Sequence, residues 1–192
     1  MDTRKVLSLF LTLVLFFILY STLPTSSSSS HSQLVRNICK ETINYTKCIE
    51  TLEADPRTKS PKNLNAFAED SIRLAMENAN ESLHFIEHMV KNKTSGISRS
   101  TRAVLKQCVK SYKAVVASFK SALEELSEDA MTANYDVKVA VDFINDCGNE
   151  MSSKQIRVPS MPERNEQVRL FSSIGDVITT KLIIEFSFLS GS

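Results

Sequence analysis

The sequence predicts an all-α fold, an antiparallel four-helix bundle preceded by an N-terminal helical hairpin and fixed by two disulfides. Glycine and proline are scarce, with 4 and 5 among 192 residues, so the repeated turns of a β-protein are not favoured. Four long segments repeat apolar residues at spacings of three and four, the period of a helix with one buried face. Four cysteines follow an export signal, and exported proteins form disulfides.

Residues 1–26 are predicted to be a secretory signal peptide. Arg4 and Lys5 supply its positive start, and the apolar run Val6–Tyr20 precedes small and serine-rich residues. That run has about 15 residues, fewer than the roughly 20 that span a bilayer as a helix. An uncleaved signal anchor is the competing interpretation.

The expected cleavage point divides the chain into a removed segment, a lead-in and one domain. We expect cleavage between Ser21 and Ser32, with a flexible Ser-rich segment at 27–33 and a helical-bundle domain at 34–189. The mature chain is then expected to be secreted to the apoplast without a membrane anchor, and the vacuole is the alternative destination.

The N-terminal part of the domain is predicted to form the hairpin. Two short helical segments, Leu34–Cys39 and Tyr45–Leu52, are joined by Lys40–Asn44. Asp55-Pro56 then interrupts the chain, because a residue that precedes proline is disfavoured in the helical conformation.

Four longer segments supply the bundle, with apolar stripes from Leu64 to Val90, Leu105 to Leu126, Ala133 to Met151 and Val168 to Leu182. Each helix has one such stripe, so the four must pack together to bury all of them. The connections are short, which predicts antiparallel neighbours. The segment 158–162 is predicted to be a loop, because it contains two prolines.

The apolar C-terminal tail Leu182–Leu189 is predicted to be the end of the last helix. A lipid-anchor signal would need a longer uninterrupted apolar run, and Glu185 interrupts this one.

The cysteines Cys39, Cys48, Cys108 and Cys147 allow three disulfide pairings. Zinc binding is the alternative, but zinc sites usually contain a close C-x2-C pair, and none occurs. We favour the sequential pairing. Cys108 and Cys147 fall on the core stripes of adjacent helices, and Cys39 with Cys48 would lock the hairpin.

Three glycosylation sequons accompany the predicted export. They begin at Asn44, Asn80 and Asn92, each followed by Ser or Thr two residues later. We predict these asparagines as acceptor sites.

Composition and motifs argue against nucleic-acid binding and against catalysis. The net charge is +1 with no block of like charge, so no nucleic-acid partner is expected. The string His84–His88 matches the inverted zinc-peptidase pattern H-x-x-E-H, but the only other histidine, His31, precedes the domain. A solvated helix face explains the two histidines equally well. No metal, cofactor or enzymatic activity is predicted.

The carboxylates near the end of the second long helix are the other candidate for chemistry. Glu124, Glu125, Glu128 and Asp129 fall close together, and paired carboxylates can act as general acid and base. At a helix–loop junction we interpret them as a solvated acidic patch.

Several short patterns together resemble the plant invertase/pectin methylesterase inhibitor family over about Leu34 to Leu189. They are the two cysteines that bracket 40–47, the stretch Leu52-Glu53-Ala54-Asp55-Pro56-Arg57, Cys108 with Tyr112 four residues later, and Cys147. The resemblance implies a hairpin on a four-helix bundle and the disulfides Cys39–Cys48 and Cys108–Cys147. It also implies reversible 1:1 inhibition of a cell-wall enzyme by a free-standing inhibitor domain that covers the substrate cleft.

The target class is predicted from the residues ahead of the fourth cysteine. Family members that inhibit invertase often carry Pro-Lys-Phe on a loop that enters the acidic active site, at places that fall here on 130–132, Ala-Met-Thr. Members that inhibit pectin methylesterase often carry Asp-Tyr there and Thr before the fourth cysteine, where this chain has Asp129-Ala130 and Asp146. Pectin methylesterase is the favoured target; invertase, or a secreted helical protein without an enzyme target, is the alternative.

Contact with the target is expected on the exposed faces of the second and third long helices. The predicted positions are Lys110, Lys113, Lys120, Asp136 and Lys138. Inhibition would arise from steric exclusion of the polysaccharide.

Overall fold

The computed structural model describes residues 32–92 and 96–190, so the predicted signal peptide and most of the Ser-rich segment lie outside the described residues. In chain order the helices are α1 (Gln33–Cys39), α2 (Tyr45–Ala54), α3 (Pro56–Lys59), α4 (Leu64–Lys91), α5 (Arg99–Glu125), α6 (Ala130–Ser153) and α7 (Met161–Ser190). These ranges contain no strand, and the all-α prediction is confirmed. None of the helices in them combines the length and apolar character needed to cross a membrane.

Short polar side chains determine where five of the helices begin. The N-cap side chain accepts a hydrogen bond from a backbone N–H of the first turn, which would otherwise lack a partner. The capping residues are Asn44, Asp55, Asn63, Ser98 and Asp129.

α6 ends in a left-handed turn. Gln155 has φ 55°, and the N–H of Ile156 reaches back to the carbonyl of Met151 at 2.9 Å. The N–H of Gln155 also bonds to the carbonyl of Ser152 at 3.0 Å. These two bonds are the Schellman pattern, which satisfies the last carbonyls of the helix and turns the chain toward α7.

α4, α5, α6 and α7 form the antiparallel four-helix bundle, because each packs on the next and α7 closes the ring against α4. The predicted core stripes are confirmed, and Val90 is the one member that is half-buried instead of buried. The buried members are Leu64, Ala68, Ile72, Ala75, Ala79, Leu83 and Ile86 on α4; Leu105, Cys108, Tyr112, Val115, Phe119 and Ala122 on α5, with Leu126 after it; Ala133, Val137, Ala140, Ile144, Cys147 and Met151 on α6; and Val168, Phe171, Ile174, Ile178 and Leu182 on α7.

Two disulfides fix the fold, and they have the sequential pairing. Cys39 bonds to Cys48 between α1 and α2, and Cys108 bonds to Cys147 between α5 and α6. All four cysteines are fully buried, so each bridge forms part of the core. Beside the second bridge, the hydroxyl of buried Tyr112 donates to Asn165 of α7 at 3.0 Å, which satisfies both polar groups.

The hairpin of α1 and α2 lies along α7. The backbone N–H of Ile43 donates to the hydroxyl of Ser173 at 3.1 Å, and Lys181 pairs with Glu41 at 2.6 Å. These contacts join segments that are more than a hundred residues apart, and they place the hairpin tip against the middle of α7.

An ion-pair network of three charged side chains joins α3 to α4. The guanidinium of Arg57 contacts Asp55 and Glu77, each at 2.7 Å. Hydrogen bonds from Arg57 hold the pKa of both carboxyls below the ordinary range. Both stay ionised in mildly acidic surroundings, which keeps the hairpin region tied to the bundle.

The loop prediction for 158–162 was wrong at its last two residues. Met161 and Pro162 belong to the first turn of α7, where a proline is tolerated because the first N–H groups of a helix have no intrahelical partner. Met161 is also fully buried, so its side chain anchors the start of α7 in the core. α1 begins at Gln33, one residue before the start of the predicted helical segment Leu34–Cys39.

We predict that Gly175→Val lowers the free energy of unfolding by about 1–3 kcal/mol, because it overpacks the contact between α6 and α7. A Cβ at position 175 would lie 3.1 Å from the Cβ and Cγ1 atoms of Val137. Chemical denaturation would measure the loss. Combining the change with Val137→Ala should give less destabilisation than the sum of the single variants, and strict additivity would contradict the assignment.

Candidate docking surface

The predicted contact residues on α5 and α6 do not form one patch. Lys113 points to α4, where its Nζ lies 3.5 Å from Glu87. Lys138 points the other way, 3.8 Å from Asp176 of α7. Lys110, Lys113, Lys120 and Lys138 are exposed and Asp136 is half-buried, but they are distributed over both flanks of the α5–α6 pair.

The exposed large apolar side chains of the described residues are instead concentrated at three places, and members from different places line common grooves. They belong to the hairpin tip, the first turns of α6 and the last turns of α7, and we call them the apolar strip: Ile43, Tyr45, Met131, Tyr135, Ile184, Phe186 and Phe188. Because α6 and α7 are antiparallel neighbours, the start of α6 lies beside the end of α7, and the hairpin tip lies on the same flank.

Two members of the strip border a groove of about 580 Å³ between the hairpin tip, α6 and α7. Ile43 and Tyr135 stand at its edge, and they are 63% and 66% exposed. Hydrogen bonds fix its walls, since Asn134 donates to Asp176 at 2.8 Å and Arg169 donates to Asn145 at 2.7 Å. The groove therefore exists before any partner binds.

Two other members of the strip border a groove of about 340 Å³ where the α5–α6 loop meets α7. Met131, which is 68% exposed, and Phe186 line it together with Glu128 and Asp129. Asp129 accepts hydrogen bonds from the hydroxyl of Thr132 at 2.7 Å and from two backbone N–H groups. These bonds lower the pKa of Asp129, so the tip of this loop carries a fixed negative charge.

Some of the residues considered for catalysis form ion pairs or cap a helix. His84 and His88 are exposed on α4, and Glu87 pairs with Lys91 at 2.9 Å and with Lys113. Over the residues that the structure describes, no group of three potential metal ligands occurs. In the predicted acidic patch, Glu124 pairs with Lys120 at 3.5 Å and Asp129 caps α6.

The sequon asparagines occupy different structural positions. Asn44 is exposed and caps α2, Asn80 is exposed in the middle of α4, and Asn92 is the half-buried C-cap of α4. Their glycosylation stays a prediction.

Sequence reasoning missed the strip. Tyr135 and Met131 lie on α6 away from the core stripe of Ala133 and Val137, and an aromatic residue off the stripe was the available signal. The contribution of Ile43 could not be found this way, because only the tertiary contact with Ser173 brings the hairpin tip to α6 and α7.

A rigid, disulfide-fixed helical bundle with an exposed apolar strip beside preformed grooves has the features of a protein-binding module. The comparisons identify which module it is. The chain matches the plant invertase/pectin methylesterase inhibitor family over residues 33–176, three quarters of its length, and it belongs to that family. The family is one of enzyme inhibitors, so the partner class is a protein, an enzyme of carbohydrate metabolism.

Two relatives represent both branches of the family. The chain is 26% identical over 187 residues to a pectinesterase inhibitor of Actinidia deliciosa, covering 96% of this chain and 95% of the relative. It is 27% identical over 143 residues to the cell wall / vacuolar inhibitor of fructosidase 2 of Arabidopsis thaliana, covering 73% of this chain and 77% of the relative.

Solved structures share the fold. A mutant form of a pectin methylesterase inhibitor from Arabidopsis superposes with a TM-score of 0.67 at 21% identity, covering 78% of this chain and 97% of that one. A second structure, of a pectin methylesterase inhibitor from Arabidopsis thaliana, gives a TM-score of 0.56 at 22% identity, covering 78% and 95%.

Proposed function

We propose that this chain inhibits pectin methylesterase by forming a reversible 1:1 complex that covers the substrate cleft. Membership of the inhibitor family supports inhibition as the activity. The similarity to the Actinidia pectinesterase inhibitor extends over nearly the whole of both chains, whereas the match to the fructosidase inhibitor covers about three quarters of each.

The chemistry of the α5–α6 loop is the observation that favours pectin methylesterase over invertase. Members that inhibit invertase often present a lysine there to an acidic active site. Here the corresponding tip presents exposed Met131 beside the carboxylates of Glu128 and Asp129, with no lysine or arginine in 126–132. Like charges facing each other in a complex cost affinity, so this tip is poorly suited to an acidic site.

Asp146 departs from the usual threonine of pectin methylesterase inhibitors, and the departure falls outside the apolar strip. Its side chain lies in a polar groove between α5 and α6 with Gln107 and Glu150. The substitution therefore does not alter the strip or the grooves that border it.

The apolar strip is the surface that we propose for the enzyme contact. Aromatic residues and methionine are enriched at protein interfaces, and a few such side chains usually supply most of the binding energy. Lys138, Asp176 and Glu128 would form the polar rim. Because the disulfides and the wall hydrogen bonds already fix the surface, little conformational entropy is lost on binding. Inhibition would then arise by steric exclusion, without a covalent step.

Export to the cell wall belongs to the same proposal. The predicted signal peptide at 1–26, the Ser-rich sequence at 27–33 and the four paired cysteines are consistent with a secreted chain. The vacuole is the alternative destination. Invertase is the alternative target.

Titration of the oxidised mature chain into a plant pectin methylesterase and, in parallel, an acid invertase tests the proposal. We expect stoichiometric loss of pectin methylesterase activity near equimolar inhibitor and unchanged invertase activity. Selective loss of invertase activity would transfer the chain to the alternative target. No effect on a panel of isoforms of both enzymes, with both disulfides verified, would leave a secreted helical protein without an enzyme target.

A further inference from the structure

The outer face of α5 carries a straight row of cations. Six basic residues follow one another at spacings of three, four, four, three and seven, which keeps them on one face of the helix. At 1.5 Å per residue the row is about 30 Å long. We call it the basic stripe: Arg99, Arg102, Lys106, Lys110, Lys113 and Lys120.

Three of the six basic side chains of the stripe already have partners within the protein. Lys113 pairs with Glu87 and Lys120 with Glu124, both at 3.5 Å. Arg102 donates to the carbonyls of Val90 and Asn92 at the C-terminal end of α4, so its guanidinium is held against that helix.

The other half carries uncompensated positive charge. Arg99, Lys106 and Lys110 are exposed, and none of them forms an ion pair with a described residue. On the flank of α5 that faces α6, Asp146 and Glu150 line a groove together with Gln107. Electrostatic attraction from Arg99, Lys106 and Lys110 therefore extends into solvent over the N-terminal half of the stripe.

The form of this surface indicates a long and repeated anion as its ligand. The exposed side chains of Arg99, Lys106 and Lys110 line none of the grooves described above. Lysine ammonium groups are point charges on flexible stems and adapt to a chain of anions without a fixed geometry.

We propose that the basic stripe binds an acidic polysaccharide that carries free carboxylates, a polyuronate. This inference rests on the proposed function in one respect. The proposed function places the chain in a cell wall where pectin methylesterase removes methyl esters and so exposes such carboxylates. α5 lies diagonally across the bundle from α7, so the stripe and the apolar strip occupy different sides. The chain can then hold the polymer and the enzyme at once, which concentrates the inhibitor where its target has acted.

Binding to two soluble polymers at low and at moderate salt tests the inference. The probes are sodium polygalacturonate and a highly methyl-esterified pectin, with affinity electrophoresis or calorimetry as the readout. We expect binding to polygalacturonate that weakens as salt screens the charges, and clearly weaker binding to the esterified polymer.

A charge-matched pair of variants localises the site. Arg99→Gln/Lys106→Gln/Lys110→Gln should weaken polygalacturonate binding about tenfold, because three exposed charge contacts are lost. Lys40→Gln/Lys59→Gln/Lys62→Gln removes the same charge from exposed positions near the hairpin and should change binding less than twofold. Glutamine is a good helix former, and thermal melts of both variants should match the parent chain.

Three results would overturn the inference: absence of polygalacturonate binding by the parent chain, equal losses in the two variants, or unchanged binding in the stripe variant.

Complex formation with purified pectin methylesterase in the absence of polymer separates this inference from the proposed function. The stripe variant should bind the enzyme normally. If it loses the enzyme and keeps the polymer, the stripe is the enzyme contact. Polymer binding that depends on the stripe would stand even if no enzyme complex formed.

Discussion

Replacing Cys108 and Cys147 together with alanine should lower the free energy of unfolding by about 4 kcal/mol. Their disulfide joins α5 to α6 across a sequence separation of 39 residues, and its removal returns the entropy of that loop to the unfolded chain. Both sulfurs are fully buried, and alanine leaves no unpartnered polar group in their place.

Urea denaturation under non-oxidising and non-reducing conditions, with the second bridge intact, would measure the loss. The matched control is Cys39→Ala/Cys48→Ala, which removes the disulfide between two cysteines with a sequence separation of 9. On the same entropy model it should lower the free energy of unfolding by about 2.7 kcal/mol. The reverse order of the two losses would show that native packing around the bridges, not loop length, decides their contribution.

The bundle could be predicted from the sequence because its core depends on local periodicity. A residue such as Ile72 or Ile144 is buried through its place in a 3–4 repeat, and that repeat is visible without any tertiary information. The prediction was wrong at Met161 and Pro162, where proline was treated as a helix breaker. In the first turn of a helix it removes no hydrogen bond, so the buried Met161 begins α7.

The apolar strip could not be predicted, because it depends on contacts between distant segments. Ile43 reaches α7 through a hydrogen bond that spans 130 residues of sequence. Met131 and Phe186 come together only because α6 and α7 are antiparallel neighbours. Lys113 and Lys138 were identified individually as contact candidates, but the sequence did not indicate that they point to opposite neighbours, α4 and α7.

Met131→Ala/Tyr135→Ala should weaken binding to pectin methylesterase at least a hundredfold, since truncation of one central interface side chain typically costs about 2 kcal/mol or more. Both residues are exposed on the first two turns of α6 and border the two grooves. Alanine is the best helix former, so the fold should keep its stability.

Inhibition constants from steady-state assays, together with thermal melts, would separate a lost contact from a lost fold. The matched control is Lys106→Ala/Lys110→Ala, which truncates two exposed side chains on α5, across the bundle from α7. In a binding assay with purified enzyme and no polymer, that control should bind the enzyme as well as the parent chain does. If it loses inhibition and the α6 variant keeps it, the enzyme binds the α5 face. The apolar strip would then need another occupant, and the basic stripe would lose its proposed separate role.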